Sequence, residues 1–135
     1  MTHPNYKRVR YNVRNAFKEL RKQRLVAQMD QYWNTLTSST EAMVELMKEK
    51  KARGFVHFHH EDELTFRKNG YVYIAYGGAK DRYDNEEQLP KDVLTDLETG
   101  RLVETILKEQ FRLNIEWNGD TSTRIKVSLL KEVSK

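Results

Sequence analysis

The chain has 135 residues, a length typical of one compact domain, and its formal net charge is +4. It contains no cysteine, which excludes disulfides, thiolate metal ligands and a cysteine nucleophile. The first residues lack the apolar stretch of a signal peptide, and no run approaches the roughly 18 apolar residues of a membrane span. We therefore expect a single cytoplasmic domain over residues 1–135 that has no membrane partner.

Most of the positive charge lies in the first 26 residues, where eight Lys or Arg stand against one acid, Glu19. Eight minus one gives +7 for this segment, and the total of +4 leaves −3 for the rest. An amphipathic helix is predicted at about residues 5–24, because apolar side chains recur at steps of three and four residues. The apolar face comprises Tyr6, Val9, Val13, Ala16, Phe17 and Leu20.

A basic stripe runs along the other side of this helix. Its members are Lys7, Arg10, Arg14, Lys18 and Arg21. Clustered Lys and Arg attract phosphate backbones, so the stripe is a candidate polyanion-binding surface and nucleic acid is a candidate partner. The alternative is a solvated helix face that keeps the domain soluble.

A short strand and a second helix are predicted next. Leu25–Met29 is predicted as a short strand, and the alternative is that the first helix continues through it. Ser38 and Glu41 have the spacing of a capping box, which opens a helix at about residues 39–53. Gly54 stands where a helix C-cap glycine is expected.

The central part of the chain predicts two strands joined by a short helix. Phe55–His59 is the first strand, and Tyr71–Tyr76, apolar or aromatic on both faces, is the second. Between them, Asp62 is expected to cap a helix at Glu63–Lys68, which ends at Asn69-Gly70.

The last part predicts a polar loop at residues 79–90, a helix that begins at Pro90 or after Gly100, and two strands. The strands are Leu113–Trp117 and Arg124–Leu129, which alternate between apolar and polar residues as in a hairpin. The whole pattern predicts an α+β fold: one mixed or antiparallel sheet of four to five strands, with helices packed mainly on one face. The first helix stands before this α+β core of residues 25–135.

Three short motifs carry a resemblance to a known family. They are Gly54, Phe55, Val56, Phe58, His59 and Asp62; then Ala75, Tyr76 and Gly77; and then Glu116, Trp117, Gly119, Arg124 and Ile125. With these motifs the chain resembles a family of uncharacterised bacterial proteins known only as a domain of unknown function. The resemblance implies the fold class and supplies no established activity. Members tend to carry a Cys-Cys-x-x-Cys-like cluster before the second helix, where this chain has Trp33–Thr40.

The densest group of potential metal ligands is His57, His59, His60, Glu61 and Asp62, and the candidate metal site within it consists of His57, His59 and Asp62. The two histidines lie on one face of a strand, about 7 Å apart, and imidazole suits a transition metal. No cofactor is predicted for this chain. A transition metal bound by these three residues is one interpretation. The alternative is that Asp62 caps a helix and the histidines have structural roles.

His59 and Asp62 also fit a general base with its orienting carboxylate, so they are the candidate catalytic residues. Tyr76, Trp117 and Arg124 are the candidate ligand-binding residues. Tyr71, Tyr73, Tyr76 and Trp117 could line a ligand-stacking surface, although such aromatic residues more often belong to a core. Arg124 would most simply pair with Glu116 or Asp120 across two strands.

The sequence favours a non-catalytic binding or interaction module with a protein partner. The alternatives are a metal-dependent or general-base enzyme centred on His59 and Asp62, and a nucleic-acid-associated accessory protein that uses the basic helix.

Overall fold

The computed structural model describes residues 2–31, 39–80, 82–83 and 89–130. These residues form the helices α1 (Tyr6–Lys22), α2 (Ser39–Lys50), α3 (His60–Asn69) and α4 (Asp96–Thr105), the last continuing as a π-helical segment, Ile106–Gln110. The strands are β1 (Leu25–Gln31), β2 (Gly54–His59), β3 (Val72–Gly78), β4 (Leu113–Glu116) and β5 (Ile125–Leu129). None of these helices is long and apolar enough to cross a lipid bilayer.

The five strands form a single mixed sheet in the order β1-β2-β3-β5-β4. β1 runs parallel to β2, and every other pair of neighbours is antiparallel. Parallel neighbours need a long crossover, and α2 supplies it between β1 and β2. The predicted α+β fold with one sheet, and its order of helices and strands, is therefore confirmed.

Three helices pack on one face of the sheet, which we call the core face. Because side chains alternate along a strand, Val56 and Phe58 of β2 both point to this face. They join a hydrophobic core with Phe17 of α1, Phe66 of α3 and Val103 of α4. The core face is thus closed by α1, α3 and α4, as the amphipathic pattern of the first helix predicts.

The opposite side, the outer face, carries Phe55, His57, Tyr73 and Lys126. Helix α2 packs there through Met43 and Met47, which contact Val26 and Phe55. Both strands under α2 lie at one side of the sheet, so the contact covers β1 and β2. Most helices lie on one face, as predicted, and α2 is the exception.

The predicted end of α2 at Gly54 is wrong, because the helix ends at Lys50 and Gly54 begins β2. Lys51 makes the turn with a φ of +53°. A Cβ at Gly54 would lie 2.7 Å from the carbonyl oxygen of Gly77 and 2.9 Å from Oγ1 of Thr99. Glycine is therefore required here by the close approach of α4 and β3 rather than by a helix cap. Ser38, the predicted start of the helix, lies outside the described residues.

Two other helix starts differ from the prediction. Helix α3 begins at His60 with His59 as its N-cap, so Asp62 is its third residue rather than its cap. Helix α4 begins at Asp96, after the cap residue Thr95, and not at Pro90 or beyond Gly100. The backbone N–H of Glu98 donates to Oγ1 of Thr95 (3.1 Å), which fixes this start by a capping box. The predicted end of α3 is confirmed, since Gly70 adopts the left-handed conformation at a φ of +75°.

A buried carboxylate joins α1 to α3. Glu63 has no exposed surface, and its Oε1 accepts a hydrogen bond from the hydroxyl of Tyr6 (2.7 Å) and from Nε of Arg10 (2.5 Å). Burial, followed by the bond to Glu63, raises the pKa of Tyr6. Removal of the carboxylate would leave Arg10 and the Tyr6 hydroxyl without their shared partner.

We therefore expect Glu63→Ala to lower the free energy of unfolding by about 3 kcal/mol, the usual cost of breaking a buried charged pair from one side. Urea denaturation monitored by circular dichroism measures this change. Glu61→Ala is the control, because Glu61 is exposed in the first turn of the same helix and should cost less than about 1 kcal/mol. Equal losses in the two variants would contradict the role assigned to Glu63.

Candidate functional site

The outer face offers an open surface beyond the strands that α2 covers. Tyr73 of β3 is 39% exposed there, although it belongs to a central strand. Its neighbour across the sheet is Lys126 of β5, whose own neighbour is Glu116 of β4. A row of aromatic, basic and acidic side chains therefore crosses this half of the sheet.

The predicted catalytic pair lies at the border between the covered and open halves. Oδ2 of Asp62 is 3.5 Å from Nδ1 of His59 and accepts the backbone N–H of His59 at 3.3 Å. The His59 side chain is 33% exposed, whereas that of Asp62 is 13% exposed. Asp62 therefore lies beside His59, and the same carboxylate completes the first turn of α3.

Arg124 joins this pair from a distant part of the chain. Its Nη1 donates to Oδ1 of Asp62 at 2.9 Å, so both carboxylate oxygens of Asp62 have partners. Its guanidinium also lies over the ring of Tyr73, with Cζ 5.5 Å from the ring centroid. The contact ties the start of α3 to the start of β5 and places Arg124 between a carboxylate and an aromatic ring.

The predicted pairing of Arg124 with Glu116 or Asp120 is wrong. Glu116 is taken by Lys126, its direct neighbour in the register of β4 and β5, with Nζ 3.3 Å from Oε2. The ammonium of Lys126 also lies 4.4 Å from the ring centroid of Tyr71. Lys126 was missed as a site residue, although the alternation of β5 already places it opposite the apolar side chains of that strand.

His57 is buried beneath this region, with 2% of its surface exposed. Neither ring nitrogen has a hydrogen-bond partner among the described residues, and the ring lies 5.8 Å from that of Phe55. Burial, with a smaller effect of His59, lowers the pKa of His57 to about 4. His57 is therefore a neutral imidazole at pH 7.

The predicted metal ligands lie in different environments, since His57 is buried whereas His59 and Asp62 contact each other. No set of three or more His, Asp or Glu side chains in the described residues is arranged to hold an ion. Asp62 is instead engaged by Arg124 and His59. A transition metal at His57, His59 and Asp62 stays a prediction.

The predicted ligand-binding set is divided between the two faces. Tyr76 lies on the core face with Trp117, their ring centroids 5.4 Å apart, whereas the guanidinium of Arg124 lies over Tyr73 on the outer face. The Tyr76 hydroxyl donates to the carbonyl oxygens of Asp120 (3.1 Å) and Thr123 (2.9 Å). These bonds close the loop between β4 and β5 and show that Tyr76 has a structural role.

The predicted basic stripe is also divided. Arg10 pairs with buried Glu63, and Arg21 donates twice to the carbonyl oxygen of Ala27, at 2.9 and 2.7 Å. Lys7, Arg14 and Lys18 are exposed. The structure therefore assigns two of the five predicted cations to internal contacts.

The lowered pKa of His57 makes stability depend on pH. In the unfolded chain the ring takes a proton near pH 6.5, whereas in the folded chain it does so near pH 4. The contribution of neutral His57 is therefore fully present above about pH 6.5 and is lost as the pH falls toward 4. We expect His57→Leu to lose less stability than the wild type between pH 7 and pH 4.5, by roughly 2–3 kcal/mol.

Urea denaturation at the two pH values measures this difference. The control is His3→Gln, which removes a half-exposed imidazole and should keep the acid sensitivity of the wild type. If His57→Leu were as sensitive to acid as the wild type, the burial of a neutral imidazole would be contradicted.

Comparison with known proteins identifies a family for this chain but no individual relative. No curated protein and no solved structure matches the chain. The sequence profile of a domain of unknown function, DUF6891, matches residues 11–131. The resemblance to a family without an established activity is thus confirmed. The chain belongs to the family of this domain of unknown function, DUF6891.

Proposed function

We propose that this domain is a non-catalytic binding module and that a protein partner docks on the outer face around Tyr73 and Arg124. The observation that carries this proposal is the exposed Tyr73 ring, fixed under the guanidinium of Arg124 on an open sheet. Tyrosine and arginine are the residue types that most often dominate the binding energy of protein interfaces. An acidic segment of the partner is the best chemical match.

Arg124 is prepared for such a contact before the partner arrives. Asp62 holds one of its nitrogens at 2.9 Å, while 47% of the side chain remains exposed. A guanidinium has five donors in a planar fork, so donors remain for a carboxylate of the partner. Because Asp62 and Tyr73 already restrict the side chain, little conformational entropy is lost when a ligand binds.

Selection from a random peptide library displayed on phage tests this proposal, and it can be done without a purified partner. The wild-type domain should enrich peptides rich in Asp and Glu. Tyr73→Ala and Arg124→Gln should each weaken the binding of a synthetic copy of such a peptide by about 2 kcal/mol or more, the loss expected at an interface hot spot. Isothermal titration calorimetry measures the affinity.

Arg101→Gln is the matched control. Arg101 also lies over an aromatic ring, with Cζ 5.3 Å from the centroid of Trp117, and is 57% exposed. It belongs to α4 rather than to the outer face, so its loss should leave peptide binding unchanged. The absence of any enriched acidic peptide, or an equal effect of Arg101→Gln and Arg124→Gln, would contradict the proposal.

General-base catalysis by His59 is the second candidate function. The separation of 3.5 Å between Nδ1 of His59 and Oδ2 of Asp62 favours it, because a carboxylate on one ring nitrogen orients the other for proton transfer. Partial exposure of His59 would allow a substrate to approach.

Hydrolysis of the activated ester p-nitrophenyl acetate tests this candidate by absorbance. His59→Gln should lower the rate by a factor of about 100 or more, the usual contribution of a positioned base. His3→Gln is the control, because Nδ1 of His3 accepts the backbone N–H of Asn5 at 3.0 Å and pairs with no carboxylate among the described residues. A wild-type rate equal to that of buffer, or equal rates for both variants, would remove the catalytic interpretation.

A further inference from the structure

The solvent side of α1 carries an aromatic residue in the middle of a row of cations. Lys7, Tyr11, Arg14, Lys18 and Lys22 follow one another at steps of four, three, four and four residues, the spacing of one helix face. All five are exposed, and Tyr11 has 68% of its surface exposed. The opposite side of the helix is fully buried in the core. This row, the outward face of α1, is therefore available to a partner.

The positive charge of the outward face is not neutralised within the described part of the chain. No carboxylate in that part pairs with Lys7, Arg14, Lys18 or Lys22, whereas Arg24, Arg53 and Arg82 all have acidic partners. Glu19 is the single acid of α1. The outward face differs from the predicted basic stripe, because it contains Tyr11 and Lys22 and does not contain Arg10 and Arg21.

Tyr11 gives the outward face a chemical character that cations alone would not have. A tyrosine with two thirds of its surface in water contributes little to the core, yet it presents a flat aromatic ring between Lys7 and Lys18. Exposed aromatic rings among basic side chains are the arrangement with which proteins stack the bases of single-stranded nucleic acids while neutralising their phosphates. In a duplex the bases are already stacked, so a single exposed ring has less to offer there.

The length of the row suits a short oligonucleotide. From Lys7 to Lys22 the helix rises by about 22 Å at about 1.5 Å per residue. At its C-terminal end α1 also lines a groove of about 560 Å³, together with Arg24, Lys50 and Lys51. A strand that follows the row would thus reach Lys50 and Lys51 where the helix ends, beside Arg24, which is paired with Asp92.

We propose that the outward face of α1 binds single-stranded nucleic acid, with Tyr11 stacked on a base and Lys7, Arg14, Lys18 and Lys22 on the phosphates. This surface lies on α1, whereas the partner site at Tyr73 and Arg124 lies on the outer face of the sheet. Its success or failure in a test is therefore independent of the proposed function. RNA and DNA offer the same bases and phosphates, so both are used as probes.

The experiment measures fluorescence anisotropy of labelled oligouridylate and oligothymidylate between about 50 and 200 mM salt. Four phosphate contacts to a single strand predict a slope of about −3 for the logarithm of the binding constant against the logarithm of salt concentration. The triple variant Lys7→Gln, Arg14→Gln and Lys18→Gln should reduce that slope by about 2. Tyr11→Ala should weaken binding roughly 5- to 100-fold at fixed salt and leave the slope unchanged.

A charge-matched triple variant supplies the control. Lys68→Gln, Lys91→Gln and Lys108→Gln remove three exposed charges outside α1 and should retain wild-type affinity and slope. Binding to one of the two probes alone would identify the nucleic acid and support the proposal. No binding at about 50 mM salt, an equal loss in the control, or unchanged affinity of Tyr11→Ala would overturn it. Vesicles rich in phosphatidylserine are a further probe. If wild type and Tyr11→Ala bound these vesicles equally and neither oligonucleotide were bound, the surface would be a membrane contact and the proposal would be overturned.

Discussion

A single helix cannot cover one face of a five-stranded sheet, and this geometric limit shapes the molecule. Five strands at about 4.8 Å spacing are about 24 Å wide, whereas a helix with its side chains is about 10 Å across. Of the helices that the structure describes, three share the core face, and α2 packs on the outer face, over β1 and β2. The side chains of β3, β5 and β4 on that face must therefore be compatible with water, and they include Tyr73, Lys126 and Glu116.

The candidate site lies where the covered half of the outer face meets the open half. On the covered side His57 is buried and neutral, and its ring nitrogens have no partners in the described residues. On the open side Arg124 is held between Asp62 and Tyr73. A rigid arginine over an exposed tyrosine is suited to binding. Asp62 thus has two structural roles: it completes the first turn of α3 and it holds Arg124 in place.

Local pattern was sufficient to predict the order of the elements and the proximity of His59 to Asp62. Both depend on residues that are close in the sequence, through the alternation of β2 and the spacing of a helix start. Contacts between distant residues were not accessible in this way. Arg124 meets Asp62 across 62 positions, and Arg10 meets Glu63 across 53. Arg124 therefore pairs with Asp62 rather than across the strands, and Arg10 pairs with Glu63 rather than belonging to a polyanion-binding stripe. The register of the sheet and the burial of each carboxylate decide which one an arginine reaches.

The claim that the open half of the outer face is the binding surface is tested most directly by NMR. Backbone amide shifts of the isotope-labelled domain would be followed while an acidic peptide selected on it is added. The largest changes are expected at Tyr73, Arg124 and Lys126 and in the first turn of α3. Changes confined to α1 or to the edge strand β1, with none on β3 and β5, would contradict this claim.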